Sequence, residues 1–375
     1  MLPEKHKIAI IRSNPIMSDP RVIKIAHSLG KKYTVLILGW DRECMYKPVE
    51  TISKSIKIKR FRLKAPYGSM SLVPLLPIYQ VWVLLNLLIH KPDVVHACDL
   101  DGAMPSYILK LILRRKMVFD VFDRYGWWST LYLKIKKIYP LVKLFEETVA
   151  RNSDWLITVS RGELETFRLL PKCWAVVPNY PMNFKITKNE CSSKLNDHFK
   201  VVFAGSISPN YGLLDLCEVV KDLEHVRLIL SGRMLSQELL QRVLLLPNVE
   251  YIGLLPHKEA LELQAAADVI PVLIDPALPK FHTVNPNKLF EAMMLGIPVI
   301  TNVLTDEVTD IGCGIVVHYG CVNEIREAIL YLKNNPKIRM EMGSKGRVAF
   351  EHKYNWTWNE KKLFRIYNEL LKNGC

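Results

Sequence analysis

Short apolar segments alternate with helical segments along the chain of 375 residues, and this alternation restricts the fold more than any other feature. In the first half, the predicted strands run from Lys7 to Arg12 through Trp155 to Val159. A second series runs from Lys200 to Ala204 through Gly314 to Val317. Strands that alternate with helices form parallel sheets covered on both faces. The sequence therefore predicts an α/β protein with two Rossmann-like, doubly wound domains facing a cleft.

The composition changes between the two series. After Asn179-Tyr180-Pro181, the chain becomes polar from Lys185 to His198, as is typical of a linker. We place the domain boundary between residues 184 and 185.

The charge is unevenly distributed along the chain. Residues 1–180 carry 29 Lys and Arg against 15 Asp and Glu, whereas residues 181–375 carry 22 of each. The whole net charge of +14 therefore belongs to the first half. Such a surplus is consistent with an anionic membrane, an acidic substrate or nucleic acid. Because no nucleic-acid reader motif is recognisable, we expect no nucleic-acid partner.

The eight cysteines are scattered, without a C-x-x-C pair or a compact Cys/His cluster. This spacing argues against a zinc site or a disulfide scaffold and favours a reducing compartment. The first apolar strand is too short for the core of a signal peptide. We therefore expect a cytoplasmic protein without a bound metal.

Residues 65–89 contain no charged side chain. Pro74 and Pro77 leave only Ile78 to Ile89 uninterrupted, which is shorter than the roughly 20 residues that a bilayer requires. We expect a core or interfacial helix here rather than a membrane span. Farther along, aromatic and lysine side chains interleave from Trp127 to Leu144, a pattern that fits either a membrane-surface helix or a packed helix with a solvated Lys face.

The segment from Asn285 to Ile300 predicts a short helix with a binding site at its N-terminus. Asn285 is a suitable N-cap, and a helix over Pro286 to Leu295 would end at Gly296. Lys288 and Glu291 share a face near the free amides of the first turn. The ammonium and the amides suit a phosphate, and the carboxylate suits sugar hydroxyls. A surface salt bridge between the two side chains is the alternative interpretation.

Glycine-containing loops follow two predicted strands of the second half. Gly205-Ser206 follows the first strand, and Ser231-Gly232-Arg233 follows the next. Backbone amides at such positions can approach a phosphate, and Arg233 offers a second positive charge for a diphosphate.

Candidate catalytic groups of the first half lie at the ends of two predicted strands. His96 and Asp99 follow one strand, and Asp123 follows the next. Each could orient a sugar hydroxyl or accept its proton. Asp99 and Asp101 could also form a metal-binding pair, although Asp101 is better explained as a helix N-cap. Cys98 is not expected to be a nucleophile.

Taken together, these motifs resemble those of GT-B-fold glycosyltransferases, in particular the large retaining family 4. The most specific motif is Pro-Asn-Lys-x-x-Glu-x-Met-x-x-Gly-x-Pro-Val, which begins at Pro286. Weaker similarity extends over nearly the whole chain, in segments that include Asp19-Pro20-Arg21, 92–96, 120–123, 157–160, 177–179, 203–206, 248–253 and 356–371.

The resemblance implies an acceptor-binding domain over residues 1–184, a nucleotide-sugar-binding domain over 185–354 and a final helix over 355–375 that crosses back to the first domain. It implies that Glu291 holds the ribose of a UDP-sugar or GDP-sugar. The remaining expected donor contacts are Gly205, Ser206, Arg233, Asn285, Asn287, Lys288 and Leu289. It also implies catalysis without a cofactor or metal, because helix dipoles and basic side chains stabilise the departing diphosphate.

The chain departs from the family pattern at four positions. Thr283 stands where the E-x7-E signature has its first glutamate, and Tyr211 replaces the lysine that often precedes the loop glycine. Cys98 and Phe122 replace histidines on the acceptor side. Front-face retention, in which the leaving phosphate helps to deprotonate the acceptor, does not require a histidine base.

We therefore expect a retaining glycosyltransferase that acts on a membrane-held or anionic glycan or lipid acceptor. The charge surplus and the uncharged segment indicate a peripheral position on the inner face of the membrane. The alternative is a non-catalytic, membrane-associated protein of the same fold that binds nucleotide sugars.

Overall fold

The computed structural model describes residues 5–17, 19–66, 70–125, 139–184, 198–279 and 281–372. The chain divides into two compact units. Unit 1 comprises Met1–Asn179 and Asn359–Cys375, and unit 2 comprises Tyr180–Trp358. The sequence-based boundaries at 184/185 and 354/355 lie within five residues of these divisions.

Unit 1 contains an eight-stranded sheet with the order β3-β4-β2-β1-β5-β6-β7-β8. All neighbouring strands are parallel except β3 and β4, which pair antiparallel. The strands are β1 (Lys7–Arg12), β2 (Thr34–Asp41), β3 (Val49–Ser53), β4 (Ile56–Arg62), β5 (Val94–Cys98), β6 (Lys116–Val121), β7 (Trp155–Thr158) and β8 (Trp174–Val176). The central strand β1 is apolar because both of its faces are covered: Ile8, Ala9, Ile10 and Ile11 are all buried.

The described helices of unit 1 are α1 (Pro20–Gly30), α2 (Leu76–His90), α3 (Asp99–Leu113), α4 (Tyr139–Asn152) and α5 (Arg161–Glu165). Helix α1 begins as expected, because the Asp19 side chain accepts a hydrogen bond from the Val22 amide. Helices α2, α3 and α4 pack side by side, with α3 in contact with both neighbours. The 139–144 part of the predicted aromatic-basic segment belongs to α4, and the part before residue 139 lies outside the described residues.

The described part of unit 2 contains six short parallel strands: β9 (Phe199–Ala204), β10 (Val226–Ser231), β11 (Val249–Tyr251), β12 (Ile270–Val272), β13 (Val299–Thr301) and β14 (Gly314–Val316). They form the groups β11-β10-β9 and β12-β13-β14, which a bridge between Val201 and Val269 joins. The helices are α6 (Leu213–Val220), α7 (Gln237–Leu245), α8 (His257–Ala265), α9 (Asn287–Leu295), α10 (Thr305–Ile311), α11 (Val322–Asn334) and α12 (Pro336–His352).

The last helix, α13 (Trp356–Lys372), begins in unit 2 and continues in unit 1. In unit 1 it contacts the residues that follow α1. Tyr33 and Tyr367 have ring centroids 6.0 Å apart, and the Lys31 ammonium lies 2.7 Å from Glu360 Oε1.

Two strands of unit 1 were not predicted from the sequence. The edge strand β3 alternates exposed and half-buried residues and has no apolar run, and β8 is apolar but only three residues long. The cysteine pattern likewise did not indicate that Cys173 is disulfide-bonded, although five other described cysteines carry free thiols.

Candidate active site

In unit 2, the loops after β9 and β10 approach each other so closely that glycine is required. Gly205 has φ 155° and Gly232 has φ 139°, both in the region that disfavours side chains. A Cβ atom on Gly232 would lie 1.7 Å from the Gly205 carbonyl oxygen. The Gly205 amide donates to the Ser231 carbonyl at 2.8 Å. These contacts position the backbone at the carboxyl ends of the two strands, where open parallel sheets bind ligands.

Helix α9 brings the Lys288 side chain to this backbone. A Cβ atom on Gly205 would lie 2.6 Å from the Lys288 ammonium nitrogen, so even an alanine would displace it. The same nitrogen lies 4.5 Å from the centroid of the Phe203 ring and 5.1 Å from that of Tyr211. Both distances are within the range of cation–π attraction. A positive charge is therefore held at the mouth of β9.

Glu291 lies one turn farther along α9, with a side chain that is 15% exposed. Gln264 Nε2 donates to one carboxylate oxygen at 3.3 Å, and His257 Nε2 lies 3.3 Å from the other. Both partners belong to α8. The sequence does not indicate these two partners, because no local pattern connects α8 with a glutamate 27 or more residues away.

The start of α9 differs from the prediction. The helix begins at Asn287 with Pro286 as N-cap and without a side-chain cap bond, so the predicted cap role of Asn285 is wrong. Asn285 Oδ1 is buried and has no hydrogen-bond partner among the described residues. The predicted end is correct, since Gly296 has a left-handed φ of 68°.

Other predicted donor contacts differ in their exposure. Ser206, Arg233 and Asn287 are exposed. Leu289 is not available to a ligand, because its side chain is fully buried in the core and its amide donates to the Pro286 carbonyl. Thr283, at the position of the missing glutamate, is 8% exposed.

In unit 1, His96 belongs to a buried network. Its Nδ1 atom lies 2.8 Å from the Tyr367 hydroxyl, and its Nε2 atom lies 3.1 Å from Asp120 Oδ2. Asp120 also pairs with Arg21 at 2.7 Å. Although burial raises the pKa of Asp120, Arg21 and His96 together lower it below its usual value.

Because His96 is 0% exposed and both ring nitrogens are engaged, an acceptor has no access to it. The predicted catalytic role of His96 is therefore incompatible with this structure. The residue instead connects β5, β6 and α13.

Asp99 is also buried, at 3% exposure, and its φ of 57° is left-handed. Its Oδ1 atom accepts hydrogen bonds from the amides of Phe122 at 2.7 Å and Asp123 at 3.4 Å. Its Oδ2 atom pairs with Arg12. Burial raises the pKa of Asp99 to about 7, and Arg12 opposes that rise only in part. Asp99 thus holds the loop after β6 in place, whereas Asp123 in that loop is exposed.

The Phe122 ring lies between two guanidinium groups. The Cζ atoms of Arg12 and Arg21 lie 4.6 Å and 4.8 Å from its centroid. No sequence motif indicated that either arginine belongs to this site. The loop that follows β6 is therefore organised by cation–π contacts and by Asp99, without a histidine.

Two further predictions concern the same strand ends. Helix α3 begins at Asp99 after Cys98, so Asp101 lies within the first turn and is not the N-cap. Burial raises the pKa of the Cys98 thiol well above its usual value, consistent with an inert cysteine. No group of three His, Cys, Asp or Glu side chains within the described ranges is arranged to hold a metal ion.

Comparisons with known proteins agree with this architecture. Residues 198–335 match the family model described as Glycosyl transferases group 1. The uncharacterized glycosyltransferase MJ1178 of Methanocaldococcus jannaschii is 27% identical over 285 residues, which cover 74% of this chain and 76% of that protein.

Two solved structures have the same fold across nearly their full lengths. Sucrose-phosphate synthase from Thermosynechococcus elongatus superposes with a TM-score of 0.80 at 17% identity, covering 98% of this chain and 99% of the other. Anabaena HepE, solved in complex with UDP-glucose, gives a TM-score of 0.74 at 17% identity, covering 97% and 100%. The chain is therefore a glycosyltransferase with the GT-B fold, and its residues 198–335 match the group 1 family model.

Proposed function

We propose that this glycosyltransferase moves a sugar, with retention of configuration, from a nucleoside-diphosphate sugar to a membrane-held or anionic glycan or lipid acceptor. The observation that carries the donor assignment is the position of the Lys288 ammonium against Gly205, at the carboxyl end of β9. A compact cation beside the half-buried Gly205 at such a strand end suits a diphosphate. HepE of the same fold was solved with UDP-glucose, which supports the same ligand class here.

Glu291 supplies the second donor contact. Its two oxygens face Gln264 and His257 at 3.3 Å, and each oxygen keeps a further lone pair for a ligand hydroxyl. A ribose diol would donate two hydrogen bonds to this carboxylate. The spacing of one helical turn between Lys288 and Glu291 corresponds to the separation of a diphosphate from its ribose.

The chemistry proposed for the donor is charge stabilisation. As the bond between the sugar and the β-phosphate breaks, negative charge develops on the diphosphate, and Lys288 and Arg233 neutralise it. The leaving phosphate accepts the proton of the attacking acceptor hydroxyl on the same face of the sugar. This route needs neither a histidine base nor a metal, which fits Phe122 at the position where a histidine is expected.

Asp123 is the carboxylate best suited to orient the acceptor. It is exposed, and Asp99 holds its backbone amide. His96 is removed from this role by its burial. The acceptor assignment to unit 1 is supported by the charge of residues 1–180, which favours an anionic or membrane-held molecule. The same charge supports the proposed position at a membrane surface.

The donor proposal is tested by calorimetric titration with UDP, GDP, UDP-glucose and GDP-mannose. We expect one nucleotide series to bind and Glu291→Gln to weaken binding at least tenfold. Glu259→Gln, on the exposed surface of α8, is the matched control and leaves affinity unchanged. Equal affinities for wild type and Glu291→Gln would refute the assignment of the ribose contact.

Turnover is tested separately with the radiolabelled form of the sugar nucleotide that binds and a lipid extract as acceptor source. Transfer of label to the lipid phase, with the anomeric configuration of the donor kept, is the expected result. Donor binding without transfer to any lipid or glycan fraction would contradict the acceptor proposal.

A further inference from the structure

Helix α2 exposes an unusually apolar surface. Ile78, Val81, Leu85 and Ile89 are 51%, 57%, 53% and 70% exposed. Their spacing of three or four residues places them along one side of the helix. No charged residue interrupts the chain from 65 to 89, so this side lacks the polar character normal for a solvated helix face.

The opposite side of α2 is firmly packed on the sheet. Tyr79, Val83 and Leu87 are fully buried, and the Tyr79 ring stacks on Trp40 with centroids 5.0 Å apart. Together these side chains cover apolar residues of β1, β2 and β5. Removing α2 from the sheet would expose this core to water.

These two faces distinguish α2 both from a core helix and from a membrane-spanning helix. The helical segment Ser71–His90 has a mean hydropathy of 2.0, enough by length and composition to cross a membrane, but only 28% of it is buried. A core helix would be mostly buried, and a membrane span could not also cover the sheet. A helix that is packed on one side and apolar on the other suits the interface of a bilayer.

The neighbouring helices continue this surface. In α3, Met104, Leu111 and Ile112 are 45%, 64% and 70% exposed, and in α4, Leu141 and Leu144 are 68% and 64% exposed. Helix α3 packs between α2 and α4, so the three helices form one layer. We call the exposed apolar side chains of this layer the outer helical face, and they are Ile78, Val81, Leu85, Leu88, Ile89, Met104, Leu111, Ile112, Leu141 and Leu144. A contiguous face of this kind marks an interaction site.

Basic residues border one end of the outer helical face. The C-cap residue of α2 is Lys91 and that of α3 is Arg114, and both are exposed. Because α2 and α3 precede the parallel neighbours β5 and β6, these ends lie at the same edge of the sheet. Arg115 and Lys116 follow directly. Positive charge beside apolar side chains complements an anionic lipid surface.

We propose that the outer helical face docks unit 1 on an anionic lipid bilayer. The apolar side chains of α2, α3 and α4 enter the boundary between headgroups and acyl chains, and Lys91 and Arg114 contact lipid phosphates. The chain lies on the membrane and does not span it. This inference deepens the proposed function and rests on it for the identity of the acceptor, which the same membrane would hold.

The test is co-sedimentation of the full chain with two kinds of vesicle. One kind contains phosphatidylcholine alone, and in the other about 30% of the lipid is the anionic phosphatidylglycerol. We expect the anionic vesicles to bind at least tenfold more strongly. The double variant Val81→Gln/Leu85→Gln removes two exposed apolar side chains without touching the core and should weaken this binding at least tenfold. Leu244→Gln/Leu245→Gln is the matched control, because these leucines of unit 2 are 73% and 81% exposed and should not contribute.

Two outcomes would overturn the proposal. One is equal binding of wild type and Val81→Gln/Leu85→Gln to anionic vesicles. The other is that wild type binds no vesicles and instead forms a dimer, as detected by light scattering, which Val81→Gln/Leu85→Gln dissociates. That result would assign the outer helical face to contact with a second copy of the chain. Nucleotide-sugar titration of both double variants separates this question from the donor site. Loss of vesicle binding with unchanged donor affinity supports docking, whereas a wild type that binds vesicles but no nucleotide contradicts only the proposed function.

Discussion

The ammonium of Lys288 occupies the space that any side chain at position 205 would need, since a Cβ atom on Gly205 would lie 2.6 Å from Lys288 Nζ. The glycine after β9 and the lysine of α9 are 83 residues apart in the chain, and they form one local structure. This relationship makes the glycine testable as part of the candidate donor site.

Gly205→Ala should therefore displace Lys288 and weaken nucleotide-sugar binding about tenfold, which corresponds to about 1.4 kcal/mol. Calorimetric titration measures the affinity. Gly320→Ala is the control, because Gly320 also has a positive φ of 76° but has open space around its Cβ position. Gly320→Ala therefore strains the backbone without displacing Lys288. An equal loss of affinity in both variants would contradict a role of Lys288 in donor binding.

His257 should act as a positioning residue for Glu291. Its Nε2 atom lies 3.3 Å from Glu291 Oε1, so His257→Ala frees one side of the carboxylate. We expect donor affinity to fall several-fold while the melting temperature stays constant, because the His257 side chain is 44% exposed. Lys258→Ala, at the next and more exposed position of α8, should change neither quantity. An unchanged affinity in His257→Ala would show that Glu291 keeps its orientation without this contact.

Tyr367→Phe should destabilise unit 1 by about 1–3 kcal/mol, because it leaves the buried Nδ1 atom of His96 without its partner. Urea denaturation measures the change in the free energy of unfolding. Tyr331→Phe removes the hydroxyl of a tyrosine that is 45% exposed and should have little effect. Equal midpoints for Tyr367→Phe and wild type would argue against the buried network.

Asp99 should make stability depend on pH. Its pKa is raised from 3.8 to about 7, first by burial, against the opposing effect of Arg12. Between about pH 4 and pH 7 the folded carboxyl holds a proton that the unfolded one has lost, so this group's contribution to stability is present below pH 4 and is lost as the pH rises to 7. The slope is at most about 1.4 kcal/mol per pH unit. The neighbouring carboxylates Asp101 and Asp123 also raise the pKa of Asp99.

The measurement compares the free energy of unfolding of wild type with that of Asp99→Asn at pH 5, 6 and 7. Asparagine tolerates the left-handed backbone and still accepts hydrogen bonds from the amides of Phe122 and Asp123. We expect wild type to lose stability relative to the variant as the pH rises. Parallel pH profiles would contradict a raised pKa at Asp99.

Asp123→Asn should lower the rate of sugar transfer at least tenfold and leave donor affinity unchanged. The substitution keeps the size of the side chain but removes the charge that is proposed to orient the acceptor hydroxyl. Transfer kinetics and donor titration together provide the test. A loss of donor affinity as large as the loss of rate would argue against a specific role toward the acceptor.

The sequence predicted an element well where both faces of a strand are buried or where the residue that ends a helix lies next to it. β1 runs over the predicted residues Lys7–Arg12, and α9 ends at the predicted Leu295 before Gly296, because an apolar run or a glycine stop is visible within a few residues. The start of α9 was misplaced because Asn285 has the right residue type for a cap but does not form the cap bond. Leu289 was expected to contact the donor because of its place in the family motif, but its side chain faces the core and its amide donates to the Pro286 carbonyl.

By itself, the sequence determined the alternation of strands and helices, the glycine stop at Gly296 and the residue types at the mouth of α9. These properties depend on local backbone preferences and on hydrophobic periodicity, which act over a single helical turn or strand. Tertiary structure alone decided that Lys288 contacts Gly205, that Gln264 and His257 contact Glu291, and that His96 is buried with its ring nitrogen at the Tyr367 hydroxyl. Each of these contacts joins residues between 27 and 271 positions apart, and only the packing of separate elements can determine which of many chemically suitable partners meet.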